Sequence, residues 1–191
     1  MILNQIPCLD KGYVAKISSH NDGIKLLDIA NEFLNPAQRS DKLFVISSLT
    51  LIVKCPLFCQ LNLSQFGFDI INTKPLEKLE AYIPHPGEIS GNDLEVSREM
   101  SENMRRTTEA LFMNPIAYQA DGCDRFISQV IIPVNTYTTV IVHGSYNQWQ
   151  KYMAQQNLPS PLEAYRLAVK QIVDVEWEHG TTKRLKEQDS K

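Results

Sequence analysis

The spacing of hydrophobic and polar residues predicts short strands that alternate with helices. The alternating segment 12–17 and the apolar, β-branched segment 48–54 have the patterns of strands. Between them, apolar residues recur at helical spacing over 27–34, and Asn35-Pro36 is expected to end that helix. Pro56 follows the second strand and suits the first turn of another helix. The pattern in the first third of the chain therefore predicts a domain that contains both helices and strands.

A second regular pattern runs through the last third of the chain. Apolar residues over 126–131 form one helical face, and Pro133 is expected to end that helix because it lacks an amide donor. The segment 136–142 is dense in β-branched and aromatic residues, which predicts a strand. Gly144 is expected to break this strand, and Ser145 to cap a helix whose apolar face includes Trp149, Tyr152 and Met153.

Two further helices are predicted around these patterns. The segment 93–113 is polar with few apolar anchors, and its Arg105-Arg106 pair suits either a solvated helix face or a phosphate contact. At Ser160-Pro161-Leu162-Glu163 a hydroxyl, a proline and a glutamate have the spacing of a capping box that opens a final helix. Residues 180–191 are charged and without periodicity, which predicts a disordered polar tail after a domain over 1–179.

Composition narrows the class of protein. The 191 residues are 43% hydrophobic and 21% charged, which is typical of one globular domain. No apolar run approaches the roughly 20 residues of a membrane helix, and no secretory signal opens the chain, so a cytoplasmic location is expected. The formal net charge of −3 argues against a large basic surface for nonspecific duplex binding.

Candidate reactive side chains are few and scattered. Cys55 and Cys59 could supply two metal ligands, but no second pair completes a tetrahedral set, so no metal is predicted. Small buried thiols are the simpler interpretation. Cys123 lies beside a charged pair at a helix start, where a nucleophilic thiolate would be favoured. His143, beside Gly144, is interpreted as a turn histidine rather than a pocket residue.

Three segments, in order, resemble the flavin-dependent (ThyX-type) thymidylate synthases. They are the opening strand at 10–14 (DKGYV), the strand-proline-helix unit at 53–58 (VKCPLF), and the helix-proline-strand unit at 129–138 (QVIIPVNTYT). The resemblance covers most of residues 9–175. It implies an α+β fold in which helices flank a small antiparallel sheet, and a homotetramer with active sites between subunits. It also implies a pyrimidine (dUMP-type) nucleotide as substrate and FAD as cofactor.

The same resemblance implies a set of substrate-binding positions, at which this chain departs from the family. Where the family has an arginine-histidine-arginine triplet, this sequence has Gln65-Phe66-Gly67. Two further arginine positions hold Gln129 and Gln156, whereas the family's asparagine after the triplet is kept as Asn72. The glutamate-histidine pair that contacts flavin becomes Val45-Ile46, which argues against tight flavin binding. The predicted substrate-binding residues are therefore Gln65, Asn72, Gln129 and Gln156.

Loss of three arginines changes the expected chemistry. An amide keeps hydrogen bonding but brings no charge, so a buried phosphate would lack compensation at a cost of several kcal/mol. Three hypotheses follow. The chain is a divergent methyl- or hydroxymethyl-transferring enzyme with an altered pocket; or it is an inactive homologue that binds a protein partner or nucleic acid; or it is an altered nucleobase-binding protein of a phage-like nucleotide-modification pathway. The first hypothesis predicts catalytic activity, and the second predicts none.

Overall fold

The computed structural model describes residues 4–20, 47–72, 80–89, 93–122 and 132–188. Its five strands are β1 (Gln5–Cys8), β2 (Gly12–His20), β3 (Ser48–Pro56), β4 (Asp69–Asn72) and β5 (Tyr137–Ser145). Its α-helices in the described ranges are α1 (Leu57–Ser64), α2 (Leu94–Ala120), α3 (Tyr146–Met153) and α4 (Ser160–Gln188). A short 3-10 helix covers Pro86–Glu88.

The strands form one five-stranded sheet in the order β1-β2-β3-β5-β4. Antiparallel pairing joins β1 to β2, β2 to β3, and β4 to β5, with a register shift between Lys16 and Ser18. Alternate residues of β3 and β5 are buried, as expected when one face of a sheet is covered more completely than the other. The predicted fold class, an α+β fold with a small antiparallel sheet flanked by helices, is confirmed.

The core lies on the covered face of this sheet. Strand residues there, such as Val14 and Leu51, have 0% exposure because α3 and α4 supply large buried side chains. Two of those side chains also bind strand carbonyl groups: Trp149 Nε1 donates to Leu49 O at 3.1 Å, and Tyr165 Oη donates to Lys54 O at 2.8 Å. These bonds fix the helices to the sheet while satisfying the polar ends of buried aromatic residues.

The chain divides into two compact units. The first comprises residues 1–55, 59–74 and 139–191, and the second comprises residues 56–58 and 75–138. The predicted division into a domain over 1–179 and a tail over 180–191 stays a prediction. Helix α4 nevertheless continues to Gln188, into the segment expected to be disordered, and the lysine, arginine, leucine and glutamate residues there are good helix formers.

Several element boundaries differ from the sequence-based expectation. Gly144 lies inside β5, so the expectation that it breaks the strand is wrong. Glycine suits this position because the missing Cβ makes room for the ring of Phe68. Pro56 is the last residue of β3, and the helix begins at Leu57. Helix α2 extends past the predicted end at 113 and includes Pro115. The helices expected over 27–34 and 126–131 lie outside the described residues.

No helix within the described ranges combines the length and the apolar character needed to span a lipid bilayer. The cytoplasmic location expected from the sequence stays a prediction.

Candidate functional site

The resemblance places an arginine-rich triplet in the turn that follows α1. Backbone bonds from Gln65 N to Asn62 O (3.2 Å) and from Phe66 N to Leu63 O (3.1 Å) close the turn. Gly67 has a φ of 69°, a left-handed conformation that glycine adopts without steric cost. Gln65 is exposed, so its amide is accessible to a ligand.

Two phenylalanines turn this segment into part of the core. Phe68 is 8% exposed, and its ring centroid lies 4.2 Å from that of Trp149. Phe66 meets Tyr152 edge to face, with centroids 5.5 Å apart and planes at 88°. A Cβ built on Gly144 would lie 2.3 Å from Phe68 Cδ1, so this packing requires glycine in the neighbouring strand. Of the three positions aligned with the family's triplet, the middle one, Phe66, therefore packs against the core, whereas Gln65 is exposed.

Gln148 connects this aromatic turn (residues 65–68) to the start of α3. Ser145 caps α3, as the sequence predicts, and Gln148 completes the capping box by accepting from Ser145 N at 2.8 Å. The other end of the same amide donates from Nε2 to Gly67 O at 2.5 Å. One side chain therefore satisfies a helix terminus and a turn carbonyl group together, which fixes the turn relative to α3.

The predicted substrate residue Asn72 contacts α1, and so does the residue that precedes Gln156. Asn72, at the end of β4, accepts from Gln60 Nε2 at 3.3 Å. Asn62 Nδ2 donates at 3.2 Å to Oε1 of Gln155, which precedes Gln156 in the loop after α3. Positions two apart on a helix point about 200° apart. The described contacts therefore do not join Asn72 to the loop, and a site shared by all four predicted residues stays a prediction. Gln129 lies outside the described residues.

A polar cavity of about 550 Å³ opens at the loop after α3. Gln156, one of the predicted substrate residues, lines this cavity. Arg166 also lines it, although the sequence did not indicate it, and its guanidinium donates to Glu163 from Nε (2.8 Å) and Nη2 (2.5 Å) and to Met153 O from Nη1 (2.9 Å). The separation of three residues from Glu163 to Arg166 is the signal that could have indicated this pair. The lining consists of Met153, Ala154, Gln155, Gln156, Asn157, Leu158, Glu163 and Arg166.

The charge of Arg166 is already compensated. Its hydrogen bonds to Glu163 lower the pKa of that carboxyl group, and the same contacts raise the pKa of the guanidinium. Glu163 therefore binds Arg166, where the sequence had suggested that it reaches back to the helix start. An incoming phosphate would compete with a carboxylate for this cation, so the cavity suits uncharged polar groups better than a dianion.

His143 and the arginine pair of α2 have structural roles in the described contacts. His143 lies within β5, so its interpretation as a turn residue is wrong, and its Nδ1 is 2.8 Å from Thr50 Oγ1. Arg105 and Arg106 bind Glu102 on the exposed surface of α2, with Nη2–Oε1 and Nε–Oε1 distances of 2.7 and 2.9 Å respectively. These bonds lower the pKa of the Glu102 carboxyl group to about 2. This geometry favours a solvated helix face over a phosphate contact.

The described thiols are buried and unreactive. Desolvation raises the pKa of both Cys8 and Cys55 to about 12, and burial raises that of Cys59 as well. Thiols with such pKa values stay protonated near neutral pH, and the thiolate is the form that binds metals or attacks electrophiles. Among the described residues no group of three side chains could hold a metal ion. Cys123 lies outside the described ranges.

Comparison with known proteins places the fold. No protein-family model matches the sequence, and no curated protein does. Among solved structures, the chain is similar to a UMP/dUMP methylase, PolB from Streptomyces cacaoi, crystallised with 5-Br dUMP. The two share 14% identity over 90% of this chain and 92% of that one, with a TM-score of 0.68. At this identity the likeness shows the fold alone, and it confirms that the chain has a distant ThyX-like fold.

Proposed function

We propose that the protein binds a pyrimidine nucleotide of the dUMP type, as a divergent relative of the flavin-dependent thymidylate synthases whose pocket has lost its charge. The observation that supports this proposal most is the likeness over nine-tenths of both chains to a methylase whose structure holds a dUMP analogue. Fold likeness is a weak warrant for chemistry, so the residues must support the proposal separately.

The side chains near the loop after α3 suit the base of such a nucleotide better than its phosphate. Uracil presents an N–H donor between two carbonyl acceptors, and the amide of glutamine or asparagine offers both matching groups. Gln156 and Asn157 line the polar cavity together with Gln155. Gln65 and Asn72 are both exposed on the same compact unit as this cavity, and they extend the proposed set of amides. In a neutral pocket of this kind the phosphate group would add little to the free energy of binding.

A comparison of two ligands and one added charge tests the proposal. Calorimetric titration should give deoxyuridine and dUMP dissociation constants within about tenfold of each other, because no uncompensated cation meets the phosphate. The variant Gln156→Arg should tighten dUMP binding relative to deoxyuridine binding by about tenfold, because loss of the amide affects both ligands, whereas the added charged hydrogen bond, worth roughly 1.5–3 kcal/mol, reaches only the phosphate. The matched control is Gln171→Arg, which adds the same charge at an exposed position of α4.

Two results would overturn the proposal. If neither deoxyuridine nor dUMP binds at millimolar concentration, the pocket does not recognise this nucleotide class. If the Gln171→Arg control tightens dUMP binding as much as Gln156→Arg does, the effect is long-range attraction and Gln156 lies outside the site.

FAD and a homotetramer belong to the same proposal. An absorbance band near that of oxidised flavin in the purified protein, or its appearance after reconstitution with FAD, would support a flavoenzyme. Oxidation of NADPH that depends on dUMP would extend this to catalysis. Light scattering that gives four times the chain mass would support the tetramer, and the chain mass alone would contradict it.

The packed aromatic turn favours a second candidate, an inactive homologue that keeps the fold and acts by binding a protein or nucleic acid. Phe66, which lies within the segment aligned with the family's triplet, and the adjacent Phe68 pack in the core, which serves stability and not phosphate binding. A protein that stays colourless with FAD and binds neither deoxyuridine nor dUMP would favour this candidate. An ordered nucleotide beside Gln156 in a cocrystal would exclude it.

A further inference from the structure

An apolar cavity of about 620 Å³ lies within the second compact unit, apart from the residues discussed above. One wall is a face of α2 whose members recur at helical spacing, from Met100 to Thr108. The facing wall comes from the start of α1 and from the segments around 82–84 and 135. The lining residues are Phe58, Tyr82, Pro84, Met100, Asn103, Met104, Thr107, Thr108 and Asn135.

Hydrogen bonds on both sides hold this cavity open. On one side, Ser101 Oγ donates to Pro84 O at 2.8 Å. On the other, Asn135 Nδ2 lies 3.2 Å from Thr108 Oγ1 and 3.0 Å from Tyr82 O. The helix positions between these two anchors include Met104, which is 41% exposed. The walls are therefore set by bonds at either end, and the space between them does not require a ligand to form it.

The lining selects for a flat, uncharged molecule. Phe58 and Tyr82 present two aromatic rings with centroids 6.2 Å apart and planes at 59°. Met100 and Met104 face them from α2, and thioether groups make favourable contacts with aromatic rings. All nine lining side chains are uncharged, so an ionised ligand would lose hydration without gaining a partner. A planar aromatic ring gains the most from such walls.

Asn135 adds a directional requirement. Its Nδ2 group is engaged by Tyr82 O and Thr108 Oγ1, which leaves Oδ1 with no partner among the described residues. A carbonyl oxygen is an acceptor only, so it selects a ligand that carries a donor. Asn135 is half-buried and its Oδ1 is not among the enclosed polar atoms that lack a partner, so water can reach this atom when the cavity is empty. A ligand with a ring N–H would replace that water with its own donor, whereas an analogue without the donor would displace the water and offer no hydrogen bond.

We propose that this cavity, which we call the α2 cavity, binds a neutral, planar heteroaromatic molecule through a ring N–H that donates to Asn135. Its volume lies within the roughly 300–1,000 Å³ of small-molecule sites. The proposal is independent of the nucleotide site, because none of the residues that line the α2 cavity belongs to the set of amides proposed to bind uracil.

Three small probes distinguish the contributions of ring shape, of the N–H donor and of ligand charge to binding. They are indole, 1-methylindole and indole-2-carboxylate. Titration of protein labelled with ¹³C at the methionine methyl groups reports the location directly, since the five methionines include two in the cavity. Indole should shift the Met100 and Met104 methyl signals by ring currents and leave those of Met113 and Met153 unchanged. Loss of the N–H should weaken binding about tenfold, and a carboxylate should weaken it at least as much.

A matched pair of variants tests the wall. Met104→Glu places a charge at the cavity, whereas Met113→Glu places one on the same helix at a position that is 64% exposed and does not line it. Met104→Glu should weaken indole binding about tenfold, and Met113→Glu should change it less than twofold. Both sites are exposed, so neither variant is expected to unfold the chain.

Four outcomes would overturn the proposal. Equal binding of indole and 1-methylindole would remove the role of Asn135. Equal binding of the carboxylate would show that charge does not matter. Methyl shifts absent from Met100 and Met104, or equal at all methionines, would place the probe elsewhere or show nonspecific contact. Finally, if Met104→Glu lowers the mass measured by light scattering and Met113→Glu does not, the α2 cavity is a contact between copies of the chain.

Discussion

The aromatic turn at 65–68 and the polar loop at 155–157 differ in how their side chains pack. Both include positions where the resemblance places an arginine, and both now hold glutamine, at Gln65 and Gln156. In the aromatic turn the neighbours Phe66 and Phe68 pack on Trp149 and Tyr152. In the polar loop Gln156 lines an open cavity beside a compensated arginine.

The difference shows that the two replacements are not equally reversible. Restoring a cation at the loop requires one substitution at an exposed position. Restoring a triplet at the turn would replace Phe66, whose ring packs against Tyr152, and Gly67, whose φ of 69° favours glycine. The turn is part of the core of its compact unit, whereas the loop lines an open cavity.

Truncation of Phe68 should have the largest effect. The variant Phe68→Ala removes a ring that is 8% exposed and stacked on Trp149, which should lower the free energy of unfolding by about 3–5 kcal/mol. Urea denaturation followed by tryptophan fluorescence measures this loss. Phe66→Ala is the comparison, because that ring is only half-buried and its removal should cost less. A loss below about 1 kcal/mol for Phe68→Ala would show that the turn is not part of the core.

Substitution of Gly144 should rank second. In Gly144→Ala the new methyl group would lie 2.3 Å from Phe68 Cδ1, and overpacking of this kind destabilises by about 1–3 kcal/mol. Gly87→Ala is the control, since the nearest atom there is His85 Nδ1 at 3.5 Å, an ordinary contact. In a Phe68→Ala background the cost of Gly144→Ala should shrink, because the clashing ring is gone. Additive effects in the double variant would contradict the proposed contact.

Loss of the Gln148 amide should have an intermediate effect. The variant Gln148→Ala removes both the capping-box acceptor for Ser145 N and the donor to Gly67 O, and should cost about 1–2 kcal/mol. Gln150→Ala, two positions along α3 and exposed, should stay within about 0.5 kcal/mol of the parent. Equal denaturation midpoints for the two variants would show that Gln148 does not hold the turn.

What the sequence could predict follows from how local each feature is. The Ser145 cap depends on residues 145–148 alone, and the predicted strands at 12–17, 48–54 and 136–142 depend on patterns among neighbouring residues. The structure has this cap and a strand at each of these segments. The aromatic turn depends on Phe68 meeting Gly144, residues distant in sequence, so Gly144 was interpreted as a strand breaker. His143 was assigned to a turn for the same reason. Periodicity and spacing along the sequence do not predict a contact between two residues that are distant in sequence.

The site was less predictable than the fold for a related reason. The resemblance indicated Gln156 as a replaced arginine, but Arg166 lies on the next helix and enters the polar cavity only through tertiary packing. Its partner Glu163 looked like a capping residue, because three residues separate it from Ser160. Both interpretations fit the local sequence, and only the positions of the side chains decide between them.

Removal of the Glu163 charge should have the smallest effect, confined to acid pH. Hydrogen bonds from Arg166 lower the pKa of Glu163 below the ordinary value of 4.5, so the folded state binds this proton less readily than the unfolded state. The resulting stability is fully present above the unfolded pKa and is lost as pH falls through the folded pKa. Urea midpoints of the parent should therefore fall more steeply between about pH 5 and 3 than those of Glu163→Gln.

The partner variant separates this pair from general acid effects. Arg166→Gln removes the cause of the lowered pKa and should flatten the same part of the midpoint profile, although it also removes the bond to Met153 O. Phe66→Ala acts on the aromatic turn, away from this charge, and should leave the slope of the profile unchanged. Parallel profiles for the parent and Glu163→Gln would mean that Arg166 is not compensated by Glu163 in solution. The guanidinium would then be available to a phosphate, and the polar loop would be a charged site after all.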